Sequence, residues 1–349
     1  MAGWLVTLAL TVAWLLTATV AGAVAPVTVT VIEDTADHTV IHYQLGHYDL
    51  VPVSVGGQPY TQVELGQESP LMTAGAPALP TVSRSIIIGD DAAVAPHVLA
   101  ESFYDIPNVD VAPSKGILYR SVDPASVPYS FGPSYQTDEL FPSTIIELGE
   151  PHILRDLRGV VVTVHPFQYN PVQRKLRVVD SVTIEVAKVG IGTVNVLSQV
   201  PTGTSLAFHQ LNQHHFINHG VQGRYAPLFE DGDMLIIAHD AWLPNVQPLV
   251  DHKNSIGIHT TAVGVSSIGN NAGAIKSHLQ SAYDNGNLAF VLLVGDAAQV
   301  ATPYASGGAS DPSYAKLAGG DSYPDVLVGR FSAETAAHVD TQVQRTIDY

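Results

Sequence analysis

The stretch GGDSYPDVLVGR, residues 319–330, places two carboxylates, Asp321 and Asp325, around a glycine-rich turn and then enters an apolar run. Carboxylate oxygens are hard donors, and Ca2+ gathers about six to eight oxygens from side chains and main-chain carbonyls. A tight turn offers side chain and carbonyl at alternate residues, and Gly319 and Gly320 allow close approach of the backbone. A third carboxylate, Asp296, ends the run FVLLVGD at the carboxyl end of a strand, where open α/β sheets collect their ligands. The competing reading is local: Asp296 caps a turn or helix and Asp321 opens a type I turn. Strand direction decides between the two. If 326–331 runs parallel to 288–295, its leading turn lies at the far end from Asp296. Bringing the carboxylates together therefore requires an antiparallel strand, or a hairpin in which 313–318 pairs with 326–331 and returns the turn to Asp296.

His209, His214, His215 and His219 fall within eleven residues. Closely spaced imidazoles suit Zn2+, yet no carboxylate or thiolate completes a tetrahedron nearby, so this stretch reads as a solvated polar linker. No G-x-S-x-G elbow, Walker A loop or dinucleotide fingerprint occurs; Gly190 and Gly192 lack the third glycine. The chain has no cysteine, which excludes disulfides, Cys-ligated zinc and a thiol nucleophile within these residues. No residue is assigned a catalytic role.

The elements that must position these side chains fall into two textures. From residue 26 to about 200 the pattern is β. VTVTVI (27–32), TVIHYQL (39–45) and SRSIIIGD (83–90) are short β-branched runs between Gly and Pro clusters. Residues 158–186 read as one long hairpin, with Val161, Thr163 and His165 on one face and the turn at 169–171. A mostly antiparallel sandwich or barrel is predicted. Polar residues accumulate over 198–232. Beyond them strands at 233–238, 258–263 and 288–296 alternate with helices at 248–253 and 271–283, which predicts a mainly parallel, helix-covered sheet. A last helix over 333–347 puts Ala336, Val339, Val343 and Ile347 on one side and stops at Tyr349 without a cap, as expected of a piece of a longer chain.

A length of 349 residues favours two domains. Hydrophobic residues at 46% and charged residues at 13% are those of a globular protein. The net charge of −17 argues against nucleic acid as a partner and suits calcium or basic partners. Residues 1–23 are apolar, carry no Lys or Arg, and end in Ala21-Gly22-Ala23, similar to a signal-peptidase site; export with cleavage there is expected. Left uncleaved, the segment is long enough to anchor in a bilayer, the sole membrane contact foreseen.

At GRYAPLFEDGDMLII (223–237), FVLLVGD (290–296), SDPSYAKLAGGDSYPDVLVGRFS (310–332) and TQVQRTIDY (341–349) the sequence resembles the gingipain family of secreted cysteine endopeptidases. GAPALP (75–80) and LRGVVVTVHPFQYNP (157–171) are similar to that family's prodomain. The resemblance implies a zymogen: a signal peptide, a β-rich prodomain over 26–200, a linker at 201–224, and at 225–349 the first subdomain of a caspase-like catalytic domain. It implies maturation between Arg224 and Tyr225, and a prodomain packed on its own catalytic domain. It further implies a calcium site formed by Asp296, the carbonyls of Ala318 and Tyr323, Asp321 and Asp325, where the family often has Glu at the last position. The Cys–His dyad that attacks protein or peptide substrates would lie beyond residue 349, leaving these residues inactive alone. The alternatives are a non-catalytic surface or adhesion module on the same scaffold, and a carbohydrate- or protein-binding β-domain at 26–200.

Overall fold

The structure, a computed structural model, describes residues 25–198, 204–220, 229–230 and 232–349. The expected export segment and the Arg224–Tyr225 junction lie outside the described residues. Among the described residues no helix is long and apolar enough to cross a membrane.

The first unit contains β1 (Val27–Asp34), β2 (His38–Leu45), β3 (Asp49–Val55), β4 (Gln58–Glu64), β5 (Val82–Ile87) and β6 (Ala92–Pro107). It continues with β7 (Ile146–Leu148), β8 (His152–Leu154), β9 (Leu157–Val164), β10 (Phe167–Asn170) and β11 (Lys175–Ile191). Every pairing among them is antiparallel. One sheet is built on the long β11, with β2 and β10 along one edge, β6 along the other, and β1 outside β2. The second has β9 at its centre, flanked by β5 and by β7 and β8. Period-two alternation sends Ile41, Tyr43, Val178 and Ile184 of the first sheet against Val82, Ile86, Val160, Val162 and Val164 of the second. The unit is the expected sandwich.

The single hairpin expected over 158–186 does not form. β9 belongs to one sheet and β10–β11 to the other, so the chain changes sheets at His165 and Pro166. Pro166 has no N–H to extend the ladder. Both flanking segments carry apolar residues on alternate positions, so each faces the shared core from its own side.

The histidine-rich stretch is not a solvated linker. After β12 (Thr204–Ser205) it forms α1 (Leu206–His215), whose N-cap Ser205 accepts from the Phe208 amide and which buries Phe208 and Asn212. Phe216 then bridges to Ser85, and the Asn218 side chain binds both the N–H and the C=O of Ile87. Residues 204–218 are therefore part of the sandwich unit. With so few apolar side chains in α1, its helical period was faint in the sequence.

The second unit follows β13 (Phe229–Glu230), which pairs in parallel with β12. It runs β14 (Asp233–Ala238), α2 (Leu243–Ser255), β15 (Thr260–Gly264), α3 (Val265–Ile268), α4 (Ala272–Asn285) and β16 (Leu288–Val294). The small pair β17 (Tyr304–Ala305) and β18 (Gly308–Ala309) precedes β19 (Leu327–Phe331) and α5 (Ala336–Asp348). The sheet order is β15–β14–β16–β19, all parallel. Alternation again assigns the faces: Ile236, Ala238, Leu292 and Val294 meet α2 and α5, while Leu235, Ile237, Val291 and Leu293 meet α4. Helix α2 begins five residues before the expected start at Pro248, because Pro244 takes the first turn and Pro248 sits inside the helix.

β19 is parallel to β16, with Phe290 opposite Leu327 and Val294 opposite Phe331. Both arrangements expected to return the turn to Asp296 are thereby ruled out; residues 311–315 form a 3-10 turn and not a strand of a hairpin.

Candidate functional site at the amino ends of the parallel strands

The acidic turn lies where β16 and β19 begin. Asp325, with 0% exposure, is the most deeply buried carboxylate there. Its Oδ2 accepts from the amides of Leu317 at 2.6 Å and Ala318 at 2.7 Å, and its Oδ1 from the amide of Arg155 at 3.2 Å. Burial pushes its pKa up to about 6; the three amides work against that rise and the nearby Asp321 adds to it. Asp321 accepts from the Tyr323 amide at 2.9 Å, which closes the turn, and from the Ile153 amide at 2.8 Å. Gly319 adopts φ +66°, and a Cβ there would stand 3.0 Å from the Asp321 carboxylate and 3.1 Å from Asn195 Oδ1. Asn195 in turn accepts from the Gly320 amide at 2.8 Å.

Ile153, Arg155 and Asn195 belong to the sandwich. Strands β8 and β9 pair Leu154 with Leu157, leaving Arg155 and Asp156 as the turn between them. Arg155 has φ +56°, a region that an L-residue enters at a cost of about 1–2 kcal/mol. Its side chain, buried completely, crosses into the α/β unit. Nη1 donates to the carbonyls of Leu288 at 2.6 Å and Asp325 at 2.9 Å, and Nη2 donates to Asn287 Oδ1 at 3.0 Å. The guanidinium carbon is 4.9 Å from the Phe208 ring centre and 6.0 Å from that of Tyr283. Burial lowers its pKa, opposed by Tyr283, Asp156 and Asp325. Arg158, the next arginine, stays within the sandwich and donates to the carbonyls of Asn195, Gly89, Ala92 and Val194.

An aromatic stack seals the junction. His152 lies against Tyr323 at 3.8 Å between ring centres, and its Nε2 is 3.2 Å from His215 Nε2. Burial, helped by the neighbouring His215, holds His152 down at about 4, and burial lowers His215 as well. Beside the stack, a cavity of about 180 Å3 lies between the units, lined by Ile153 and Leu197 on one side and by Tyr283, Leu317 and Ala318 on the other.

This geometry does not fit the expected five-ligand calcium set. Ala318, Asp321, Tyr323 and Asp325 share the amino ends, whereas Asp296 follows β16 at its carboxyl end, about 20 Å away along the strand. Asp296 is engaged through its main chain, donating to Ala333 and accepting from Gln299 and Val300 in the turn that follows β16. The carboxylates of Asp321 and Asp325 are already bound to five amides. Among the described residues no group of three or more His, Asp or Glu side chains is placed to hold a metal ion. The four histidines do not converge either. His215 pairs with His152, His209 meets His219 at 5.1 Å between ring centres, and His214 turns back to the Gln210 carbonyl.

The arrangement joins the two units through hydrogen bonds and ring contacts. Arg155, Ile153 and His152 were not singled out from the sequence. Two apolar strands flanking Arg155-Asp156 signal a turn, but nothing local names the partner of that arginine.

Comparison with known proteins divides the chain at the same place. The family Propeptide_C25 matches residues 24–216, and Peptidase family C25 matches residues 228–349. Gingipain R1 of Porphyromonas gingivalis is 36% identical over 285 residues, covering 80% of this chain and 28% of the relative. Gingipain R2 of the same organism is 35% identical over 281 residues, covering 79% of this chain and 38% of the relative. The chain thus spans between about a quarter and two fifths of the length of these relatives. A solved complex of Porphyromonas gingivalis RgpB pro- and mature domains is similar over 56% of this chain and 97% of that one, with 28% identity and a TM-score of 0.52.

Proposed function

This chain belongs to the gingipain family, joining a C25 propeptide to the amino-terminal part of a C25 peptidase domain, and from that premise we propose that it is the leading part of the zymogen of a secreted cysteine endopeptidase. The observation that carries the reading is the order of the two matches, with residues 217–227 between them. Arg224 and Tyr225 fall in that interval and are the proposed maturation cleavage site. The reaction is attack of a thiolate, paired with an imidazole, on a scissile peptide carbonyl to give an acyl-enzyme. Since the 349 residues hold no cysteine, that nucleophile is supplied from outside them, and this chain alone hydrolyses no peptide. The apolar segment at 1–23 supports export of the precursor.

The test is expression of the whole precursor under reducing conditions, followed by peptide hydrolysis and amino-terminal sequencing. The expected result is a product beginning at Tyr225 together with hydrolysis abolished by thiol alkylation, while the purified 349-residue chain stays silent with or without reductant. A precursor that remains intact and silent would overturn the reading in favour of a non-catalytic surface module.

A further inference from the structure

We propose that the peptidase unit carries a guanidinium-binding socket at the amino ends of β16 and β19, and that Arg155 is its resident ligand and the anchor of the propeptide. The inference rests on the zymogen reading above for the roles of the two units, but its test reads no peptidase activity, so the two can fail separately.

The acceptors come from two adjacent strand entries: Asn287 and Leu288 before and at the start of β16, and Asp325 before β19. They accept from both terminal nitrogens of one planar fork, with the ring of Tyr283 to one side. Among the described residues no carboxylate oxygen accepts from the guanidinium; two main-chain carbonyls and an amide oxygen do so. Such a set selects a delocalised cation with directed N–H groups over a compact ammonium. The Arg155 backbone contributes separately, because its amide binds the Asp325 carboxylate while its own side chain binds the Asp325 carbonyl. One residue thus makes five hydrogen bonds to the peptidase unit, the fifth from the Tyr283 hydroxyl to the Arg155 carbonyl, and the Ile153 amide on Asp321 fixes the strand leading to it.

The socket is also in the wrong place to be a peptide-cleaving crevice. Parallel α/β sheets gather their ligands at the carboxyl ends of the strands, and the socket is at the other end. Seating the propeptide and obstructing a crevice are therefore separable tasks. The segment that leads toward the junction is tied back to the sandwich through Phe216 and Asn218, so the anchor does not need the covalent link between residues 220 and 229.

The experiment uses the full 349-residue chain, cut at Arg224 by an arginine-specific protease and passed over a sizing column. The wild-type halves are expected to elute together and the Arg155→Ala halves to separate. Hydrogen exchange on the uncut chain should show the Leu317 and Ala318 amides about tenfold to a hundredfold faster in Arg155→Ala, with the β14 and β15 amides unchanged. Millimolar ethylguanidinium should restore slow exchange in Arg155→Ala, and ethylammonium should not. Should Arg155→Ala fail to fold, Arg155→Lys keeps the charge and stem and is expected to exchange faster without loss of either unit. Wild-type halves that separate on cutting overturn the proposal. So do folded Arg155 variants whose halves stay together with unchanged exchange, or a rescue achieved equally by ethylammonium.

Discussion

The two ends of the parallel sheet carry the same residue type to opposite purposes. At the carboxyl ends, Asp240 is exposed and organises its own surroundings, accepting from the Ser266 hydroxyl at 2.6 Å and the Ser266 amide at 3.2 Å. Asp296 likewise serves the loop that follows it, through its main chain. At the amino ends, Asp325 is buried beneath the propeptide and takes one of its three amide donors from it. Removing a solvated aspartate returns its partners to water, whereas removing a buried one leaves N–H groups dry. The amino ends are thus the energetically exposed side of the design, although they are the less exposed to solvent.

The largest test of this contrast is Asp325→Ala against Asp296→Ala. Leaving the Leu317, Ala318 and Arg155 amides unsatisfied is expected to cost about 3 kcal/mol or more, whereas Asp296→Ala should stay under about 1 kcal/mol. Urea unfolding of the two variants measures the difference, and equal losses would remove the contrast. Next in size is Gly319→Ala, expected to cost about 1–2 kcal/mol because φ is positive and the new Cβ crowds Asp321. Gly320→Ala, whose Cβ would meet Asn195 Oδ1 at 3.7 Å, should stay within about 0.5 kcal/mol. The same unfolding midpoints decide it.

Acidification should sharpen the contrast further. His152 is held at about 4 in the folded chain against an ordinary 6.5, so the unfolded chain binds the extra proton between those values. Its contribution to stability is present above 6.5 and is lost as pH falls toward 4. Asp325, raised from 3.8 to about 6, works the other way: its contribution is present below 3.8 and is lost as pH rises through 6. Thermal midpoints from pH 4 to 7 should therefore fall less on acidification in His152→Phe than in wild type. They should fall more steeply in Asp325→Asn, which removes the opposing group. Unchanged slopes in both variants would show that neither group senses the junction. The smallest effect concerns calcium. With Asp296 about 20 Å from the other carboxylates, millimolar Ca2+ is expected to move the melting temperature of the intact chain no further than Mg2+ does. A Ca2+-specific rise abolished by Asp321→Asn would contradict the separation of the two ends.

Much of the architecture was legible because it follows from local period and composition. Alternating Val and Ile in 27–45 and 158–186 specify two-faced strands, and DMLIIA and LAFVLLV specify strands covered on both faces. The resemblance at 290–296 and 310–332 placed the chain in its family. Helix α1 escaped because Phe208 and Asn212 alone are buried, too few to mark a helical stripe. The hairpin at 158–186 was misjoined because an alternating pattern gives the face of a strand and not the sheet it enters.

The five residues expected around calcium are divided at a tertiary step. The sequence by itself determined that Asp296, Asp321 and Asp325 lie beside strand ends and that Gly319 and Gly320 permit a tight turn. Only the tertiary structure decided that β19 runs parallel to β16, which sends Asp296 to one end of the sheet and Asp325 to the other. It also decided that Arg155 crosses from one unit into the other. A side chain's type is a property of its own residue, but its partner is set by strand direction and by docking of surfaces more than a hundred residues apart, and those follow from the sum of buried contacts over both units.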